Sequence, residues 1–186
     1  MDDMITEKAN NVVKPVLFET FVANNGRQIG VITLNAEKTL NALSLEMIDL
    51  MMAQLITWST DENIAIVILQ AAGDKAFCAG GDLQNLYQSM LTHHASIEKD
   101  DVRANQYACD FFNREYRLDY LIHTYPKPIL CWGHGIVMGG GIGLMAGASH
   151  RVVTEKSRLA MPEIGIGLFP DVGGSYFLNR MPGKLG

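Results

Sequence analysis

The 186-residue chain has few cysteines and no excess of basic charge. Its three cysteines, Cys78, Cys109 and Cys131, include no CxxC pair, which excludes both a disulfide framework and the usual zinc-site spacing. This cysteine usage predicts a reducing compartment. Lys and Arg number 15 against 20 Asp and Glu, so the formal net charge is −5. The acidic balance argues against nucleic acid as a general partner.

The beginning of the chain carries no pattern typical of a targeting signal. It reads Met1-Asp2-Asp3-Met4, with acidic residues where a secretory signal needs a basic start, and it is not the Arg-rich amphipathic segment of a transit peptide. No apolar stretch is long and uninterrupted enough to cross a bilayer. We therefore expect a cytoplasmic protein with no membrane contact.

What the chain does contain is the composition of one ordinary globular domain, with 48% hydrophobic and 19% charged residues. Residues 1–14 are polar and patternless, which predicts a flexible lead-in, and the domain is expected over 15–186. Two alternating or β-branched runs, 16–23 and 28–34, are separated by Asn24-Asn25-Gly26. Because Asn and Gly tolerate positive φ, this pattern predicts a β-hairpin.

Later segments predict strands and helices that alternate in repeated β-β-α units. Ser44 is a candidate N-cap for an amphipathic helix over 45–59, and the apolar run 64–70 is typical of a buried strand in a parallel pairing. Further along, the patterns predict a loop over 71–82, helices over 83–91 and 102–123, a strand over 129–132, a turn over 133–140, a short helix over 141–148, strands over 151–154 and 158–160, and a helix starting at 174.

Two glycine-rich turns each follow a predicted strand and precede a helix. The first reads KAFCAGGD over residues 75–82, and the second reads MGGGIG over residues 138–143. Because the first turn of a helix leaves its backbone N–H groups unpaired, two such turns can direct two donors at one carbonyl oxygen. Each turn taken alone is equally compatible with a simple tight turn.

A dinucleotide-binding fingerprint is the competing interpretation of the second turn. Gly141, Gly143 and Ala146 match G-x-G-x-x-A, and Glu163 follows 20 residues after Gly143. In that fingerprint, however, the glycines come directly after the strand, whereas here residues 133–140 intervene. We therefore expect the match to be accidental.

Two carboxylates, Glu163 and Asp171, lie in a later stretch that is apolar and rich in Gly and Pro. Burial among apolar groups raises the pKa of a carboxylate and suits it for acid or base chemistry. Asp171 is equally well placed to cap the segment that starts at Val172. Cys78, beside the first turn, lacks a basic partner and is interpreted as a small buried residue.

These motifs together resemble the crotonase (enoyl-CoA hydratase/isomerase) superfamily over about residues 15–186. The combination KAFCAGGD, HGIVMGGGIGL, MPEIGIGLFPDVGG and MPGKLG is similar to its 3-hydroxyisobutyryl-CoA hydrolase branch. The resemblance implies an α/β fold with a core of spiral β-β-α turns. It also implies that the C-terminal helical part of such proteins is absent here, so that the chain is truncated.

The resemblance also implies site residues. The backbone N–H groups of Ala79 and Gly140 would form an oxyanion hole for an acyl-CoA thioester. The hydratase pattern has two glutamates, but Gly143 stands at the first position, so that only Glu163 is retained. Asp171 replaces a hydratase glycine, as in the hydrolase branch. Substrate contacts are implied for Glu115, for Gly80, Gly81 and Asp82, and for Lys38 and Leu40.

The implied activity is hydrolysis of 3-hydroxyisobutyryl-CoA, as in valine catabolism, with Glu163 driving the attack and Asp171 positioning water or the substrate hydroxyl. Coenzyme A belongs to the substrate, and neither a metal nor another cofactor is expected. A homo-oligomer is compatible with the sequence. Two alternatives stay open, namely an enoyl-CoA hydratase or isomerase, and a non-catalytic acyl-CoA-binding protein.

Overall fold

The computed structural model describes residues 14–182. The predicted lead-in over 1–13 and the last four residues of the MPGKLG motif lie outside this range. The predicted hairpin is confirmed: β1 (Val16–Val22) pairs antiparallel with β2 (Gln28–Leu34), and the Asn-Asn-Gly segment forms the turn between them. The predicted helix is α1 (Leu45–Thr60), and the Ser44 side chain caps it by accepting a hydrogen bond from the Met47 N–H.

Three successive units follow, each with a long strand, a short strand and a helical segment. The first is β3 (Ile64–Ala71), β4 (Ala76–Cys78) and α2 (Leu83–His94). After α3 (Gln106–His123), the second is β5 (Ile129–Gly133), β6 (Ile136–Met138) and α4 (Gly140–Gly147). The third is β7 (His150–Val153), β8 (Arg158–Ala160) and a 3₁₀ turn (Glu163–Ile166). The short α5 (Gly174–Phe177) comes last, continued by a 3₁₀ turn (Leu178–Arg180).

The long strands and the short strands form two separate sheets. The long strands extend the hairpin into a five-stranded sheet of order β1-β2-β3-β5-β7, in which every pairing after the hairpin is parallel. The short strands form a parallel sheet of order β4-β6-β8. This arrangement confirms the predicted α/β class and its repeated β-β-α turns.

The short strands are where the sequence prediction was wrong. The prediction assigned β4 to a loop and β6 to a turn, although each is a three-residue strand. Three residues are too few to show an alternating pattern, and their pairing depends on segments distant in sequence. Residues 102–104 form a separate 3₁₀ turn, because Asn105 caps the true start of α3 at Gln106.

The buried face of α3 carries the first indication of a site. Its fully buried positions are Phe111, Glu115, Leu118 and Ile122, which recur at helical spacing and therefore form one stripe. Glu115 is 3% exposed within this apolar stripe. A carboxyl group is rarely buried without a functional reason. Among the described residues, no helix is both long and apolar enough to span a membrane.

Candidate active site

The two glycine-rich turns meet in the structure. α4 packs directly against β4. A β-carbon placed on Gly141 would lie only 2.9 Å from the Cys78 β-carbon, which shows how closely the two elements approach. Two glycines allow the turns their shape: Gly80 has φ +115°, and Gly139 has φ +50° with ψ −121°, a conformation that L side chains rarely adopt. The turn ending β4 and the turn starting α4 thus face each other.

Two backbone N–H groups are free at this junction, those of Gly81 and Gly140. Neither forms a hydrogen bond to any residue between 14 and 182. They are close together, because a β-carbon built on Gly140 would lie 3.5 Å from the Gly81 nitrogen. Gly140 is the first residue of α4, where an N–H has no partner within its own helix. The pair has the character of an oxyanion hole.

The structure corrects one of the two predicted donors. The Ala79 N–H donates a 3.1 Å hydrogen bond to the Leu40 carbonyl oxygen and is therefore occupied. Leu40 presents this carbonyl from a left-handed conformation, with φ 56°, at the end of a 3₁₀ turn. The free N–H belongs to Gly81, two residues later. The acceptor, Leu40, lies 39 residues before Ala79 in sequence, and no local motif predicts this hydrogen bond.

Glu163 lies beside the second turn and is 6% exposed. It opens the 3₁₀ turn after β8, and a β-carbon at Gly139 would lie 2.8 Å from its Oε1. The other oxygen, Oε2, is buried and has no hydrogen-bond partner among the described residues. Burial raises the pKa of Glu163, a hydrogen bond from its own backbone N–H lowers it, and the negative charge of Asp171 raises it again. A buried carboxylate with one unpaired oxygen is suited to accept a proton.

Asp171 is held by α3 through a single side-chain bond. The Tyr116 hydroxyl donates a 2.7 Å hydrogen bond to its Oδ2. Burial, and then this bond, raise the pKa of the Tyr116 phenol above its ordinary value of 10.0. Asp171 does not cap the following helix with its side chain, since α5 begins after Gly173 and has no side-chain cap. The capping interpretation of Asp171 is therefore wrong.

Glu115 and Asp119 project from successive turns of α3 toward the same region. Burial, followed by the charge of Asp171, raises the pKa of Glu115 to about 8. Both Asp119 oxygens are buried and have no hydrogen-bond partner within the described chain. Burial raises the pKa of Asp119 well above its ordinary range, and the charges of Glu115 and Asp171 add to the effect. Glu115 is therefore expected to be largely protonated at neutral pH.

Gly143 leaves no room for a second glutamate in this structure. A β-carbon there would lie 2.6 Å from the Val172 β-carbon and 2.9 Å from Asp119 Oδ1. Contacts under 3.0 Å require a neighbour to move, and here one of the neighbours is a buried valine. The space that a side chain at this position would need is occupied.

A cavity of about 170 Å³ lies between these groups. Its wall includes Gly81, Gly140, Glu115, Glu163 and Asp171. Asp171 also lines a larger neighbouring cavity of about 650 Å³ that reaches along α3. Two hydrogen-bond donors and three carboxyl groups thus converge on a space large enough for a small acyl group.

Three of the other predicted residues, Asp82, Lys38 and Leu40, lie outside this cavity. The Asp82 side chain accepts a hydrogen bond from the Asn85 N–H and caps α2. Lys38 is exposed and Leu40 half-buried, and neither lines the cavity. Gly80 does line it. The CoA contacts implied for these four residues stay predictions. Cys78 is buried, and burial raises the pKa of its thiol to about 12, which makes it unsuitable as a nucleophile.

Sequence reasoning missed Tyr116 and Asp119. No local sequence pattern marks either residue as part of a site. Tyr116 simply follows Glu115, and Asp119 lies one helical turn after Glu115. The buried stripe of α3 was the available signal, since Glu115 and Asp119 share its face at a spacing of four. Among residues 14–182, no group of three or more His, Cys, Asp or Glu side chains is arranged to hold a metal ion.

Comparison with known proteins identifies the family to which this chain belongs. A family model described as enoyl-CoA hydratase/isomerase matches residues 29–186. The chain is 46% identical over 183 residues to a protein of Danio rerio named 3-hydroxyisobutyryl-CoA hydrolase, mitochondrial, covering 98% of this chain and 43% of that protein. It is also 46% identical over 157 residues to the Homo sapiens protein of the same name, covering 84% and 38%.

Solved structures agree on the fold. An enoyl-CoA hydratase from Rhodobacter sphaeroides 2.4.1 superposes with a TM-score of 0.80 at 37% identity, covering 92% of this chain and 47% of that one. A carnitinyl-CoA dehydratase from Mycobacterium thermoresistibile gives a TM-score of 0.79 at 41% identity, covering 92% and 46%. This chain therefore spans less than half the length of these relatives.

The comparisons overturn the predicted cytoplasmic location. The curated relatives from Danio rerio, Bos taurus and Homo sapiens are all named as mitochondrial proteins. The prediction rested on the first residues of this chain and on its cysteine usage. A reducing interior is not unique to the cytoplasm, so cysteine usage could not distinguish the two compartments.

Proposed function

Because the chain belongs to the enoyl-CoA hydratase/isomerase family, we propose that it hydrolyses the thioester of a short β-hydroxyacyl-CoA, with 3-hydroxyisobutyryl-CoA as the first candidate. One observation carries the proposal. The free N–H groups of Gly81 and Gly140 open on a small cavity that Glu163 and Asp171 also line. The names of the curated relatives support the choice of substrate.

The two N–H groups would bind the thioester carbonyl oxygen. As the carbonyl carbon becomes tetrahedral, negative charge develops on that oxygen, and fixed donors stabilise it more strongly than they stabilise the ground state. Loss of one such donor costs about 2.7–4 kcal/mol of transition-state stabilisation in comparable sites. Gly81 replaces Ala79 in this role, because the Ala79 N–H is already bonded to Leu40.

Glu163 would drive the attack by one of two routes. As a general base it takes a proton from water while the water oxygen bonds to the carbonyl carbon; the C–S bond then breaks, and the proton passes to the departing sulfur. As a nucleophile its own oxygen bonds to that carbon and expels the thiolate, leaving a mixed anhydride that water hydrolyses. Hydroxylamine trapping followed by mass spectrometry separates the routes, since only the second gives a modified Glu163 peptide.

Asp171 and Glu115 would position the reactants. Asp171 Oδ1 accepts no hydrogen bond from residues 14–182, so it can accept one from water or from the substrate hydroxyl. Glu115, with its pKa near 8, is largely protonated at neutral pH and can donate a hydrogen bond into the cavity. Coenzyme A would run past residues 79–82 and the Lys38–Leu40 turn.

Enoyl-CoA hydration or isomerisation is the second candidate, and the names of solved neighbours favour it. Hydration in the two-glutamate manner is disfavoured, because Val172 and Asp119 crowd the position where the second glutamate would stand. Isomerisation needs only one glutamate. A non-catalytic binder has no chemical need for a buried, unpaired Glu163, whose burial without a partner costs folding free energy.

Release of free thiol distinguishes these activities. The full-length protein is incubated with 3-hydroxyisobutyryl-CoA, and CoA is followed with a thiol reagent for the wild type, Glu163→Gln and Asp171→Asn. Turnover that collapses in both variants supports hydrolysis. Binding of the thioester without thiol release rejects it, and an enoyl-CoA isomerisation assay then tests the second candidate.

A further inference from the structure

We propose that Tyr116 is a positioning residue for thioester hydrolysis, fixing the Asp171 carboxylate so that one of its oxygens stays free for the substrate or water. The inference rests on the proposed function, because it assigns Tyr116 a role only through Asp171. Its basis is the 2.7 Å hydrogen bond from the Tyr116 hydroxyl to Asp171 Oδ2.

The bond joins two elements that are distant in sequence. Tyr116 follows Glu115 on α3, so the same helical turn presents one residue to the cavity wall and the other to Asp171. Asp171 lies in the segment between the 3₁₀ turn and α5. Tyr116 thereby links α3 to the segment that carries Asp171.

The main chain around Asp171 is already constrained. Val172 adopts φ 41°, a conformation that is costly for a β-branched residue, and it is 5% exposed. The Asp171 carbonyl accepts a 2.5 Å hydrogen bond from the Gly174 N–H. With the backbone held in this way, the carboxylate retains mainly its side-chain torsions. A hydrogen bond to Oδ2 removes that remaining freedom.

The electrostatic surroundings make a donor at Asp171 valuable. No ion pair within the described part of the chain includes Asp171. Four ionisable groups interact with Asp171, and none of them is a cation. They are the carboxyl groups of Glu115, Asp119 and Glu163 and the phenol of Tyr116. Among the described residues, the Tyr116 hydroxyl is the only side-chain group that donates a hydrogen bond to Asp171. Without Tyr116, no other side chain of residues 14–182 would hold the Asp171 carboxylate in place.

The proposal is tested with Tyr116→Phe, Asp171→Asn and the double variant of the full-length protein. Tyr87→Phe is the control, because Tyr87 lies on α2, is 58% exposed and lines neither cavity. We expect Tyr116→Phe to lower kcat about 10- to 100-fold, as misplacement of a catalytic group does, with KM changed less than about twofold. Tyr87→Phe should change neither constant.

The double variant shows whether Tyr116 acts through Asp171. If it does, Tyr116→Phe causes no further loss of kcat once Asp171 is Asn. Losses that multiply would overturn the proposal, since they would mean that Tyr116 acts independently of Asp171. An unchanged kcat in the single Tyr116→Phe variant would overturn it as well.

A titration that needs no turnover separates this inference from the proposed function. Tyrosinate absorbance is followed against pH in the wild type, Tyr116→Phe, Asp171→Asn and the double variant. Burial also raises the pKa values of Tyr107 and Tyr125, so the Tyr116 signal is taken as the difference between the wild-type and Tyr116→Phe curves. We expect this difference to lie above the ordinary tyrosine range, and the corresponding difference between Asp171→Asn and the double variant to lie at lower pH. If this signal is absent, the bond and the proposal fail even in an active enzyme. If it is present but no CoA is released, hydrolysis fails, and the positioning role falls with it.

Discussion

Replacement of Glu115 by Gln should flatten the pH dependence of stability. Burial raises the pKa of Glu115 from an ordinary value of 4.5 to about 8, so the folded protein binds a proton that the unfolded chain has lost between these pH values. Stability linked to Glu115 is therefore full below pH 4.5 and is lost as the pH rises toward 8. Between pH 5 and 7 the loss comes to about 2–3 kcal/mol by linkage.

Urea unfolding at pH 5, 6, 7 and 8 measures this effect. The variant Glu115→Gln cannot ionise, so its free energy of unfolding should fall less than that of the wild type by about 2–3 kcal/mol from pH 5 to 7. Glu98→Gln is the control, since Glu98 is exposed and its loss should leave the wild-type slope intact. Parallel curves for the wild type and Glu115→Gln would refute the reasoning.

Three further predictions concern activity and stability. Glu163→Gln should lower the rate of CoA release by about 10²–10⁴-fold while a radiolabelled substrate still binds, because only the acid–base or nucleophilic step is lost; retention of more than a tenth of the rate would contradict this role. Gly143→Ala should reduce the free energy of unfolding, measured by urea denaturation, by about 1–3 kcal/mol, because the added β-carbon would lie 2.6 Å from the Val172 β-carbon. Gly165→Ala is the control: its β-carbon would have nothing within 4 Å, so it should change this free energy little. Asn41→Ala should cost about 3 kcal/mol, measured in the same way, because the buried Asn41 side chain donates to the carbonyls of Ala72 and Ala76 and accepts from the Ala36 N–H. A loss below about 1 kcal/mol would show that these groups find other partners.

Local pattern was sufficient for the long elements of this fold. The hairpin, α1 with its Ser44 cap and the strand after it were predicted within one residue of their observed ends. Each of these elements is specified by a few consecutive residues, which form a turn, a helix cap or a periodic apolar face. The strands β4 and β6 were missed, because three-residue strands are defined by their partners in the second sheet.

The same division holds for the candidate site. The glycine-rich turns, Glu163 and Asp171 were recognisable from residue type and order, whereas Glu115 was implied only by the family resemblance. The structure brings all of them to one cavity. The donor assignment was wrong for Ala79, because the Leu40 carbonyl that occupies its N–H arrives from a distant turn. Tyr116 could not be found at all, since its role depends on a hydroxyl 55 residues away from its acceptor in sequence.

The sequence by itself determined which chemical groups are available and the local shapes that present them: two turns that only glycine allows, and carboxylates set among apolar residues. The tertiary structure alone decided which N–H groups are free, which carboxyl groups are buried without partners, and which oxygen of Asp171 is bonded to Tyr116. These properties depend on desolvation and on hydrogen bonds between segments far apart in the chain, and neither exists until the sheets and helices have packed.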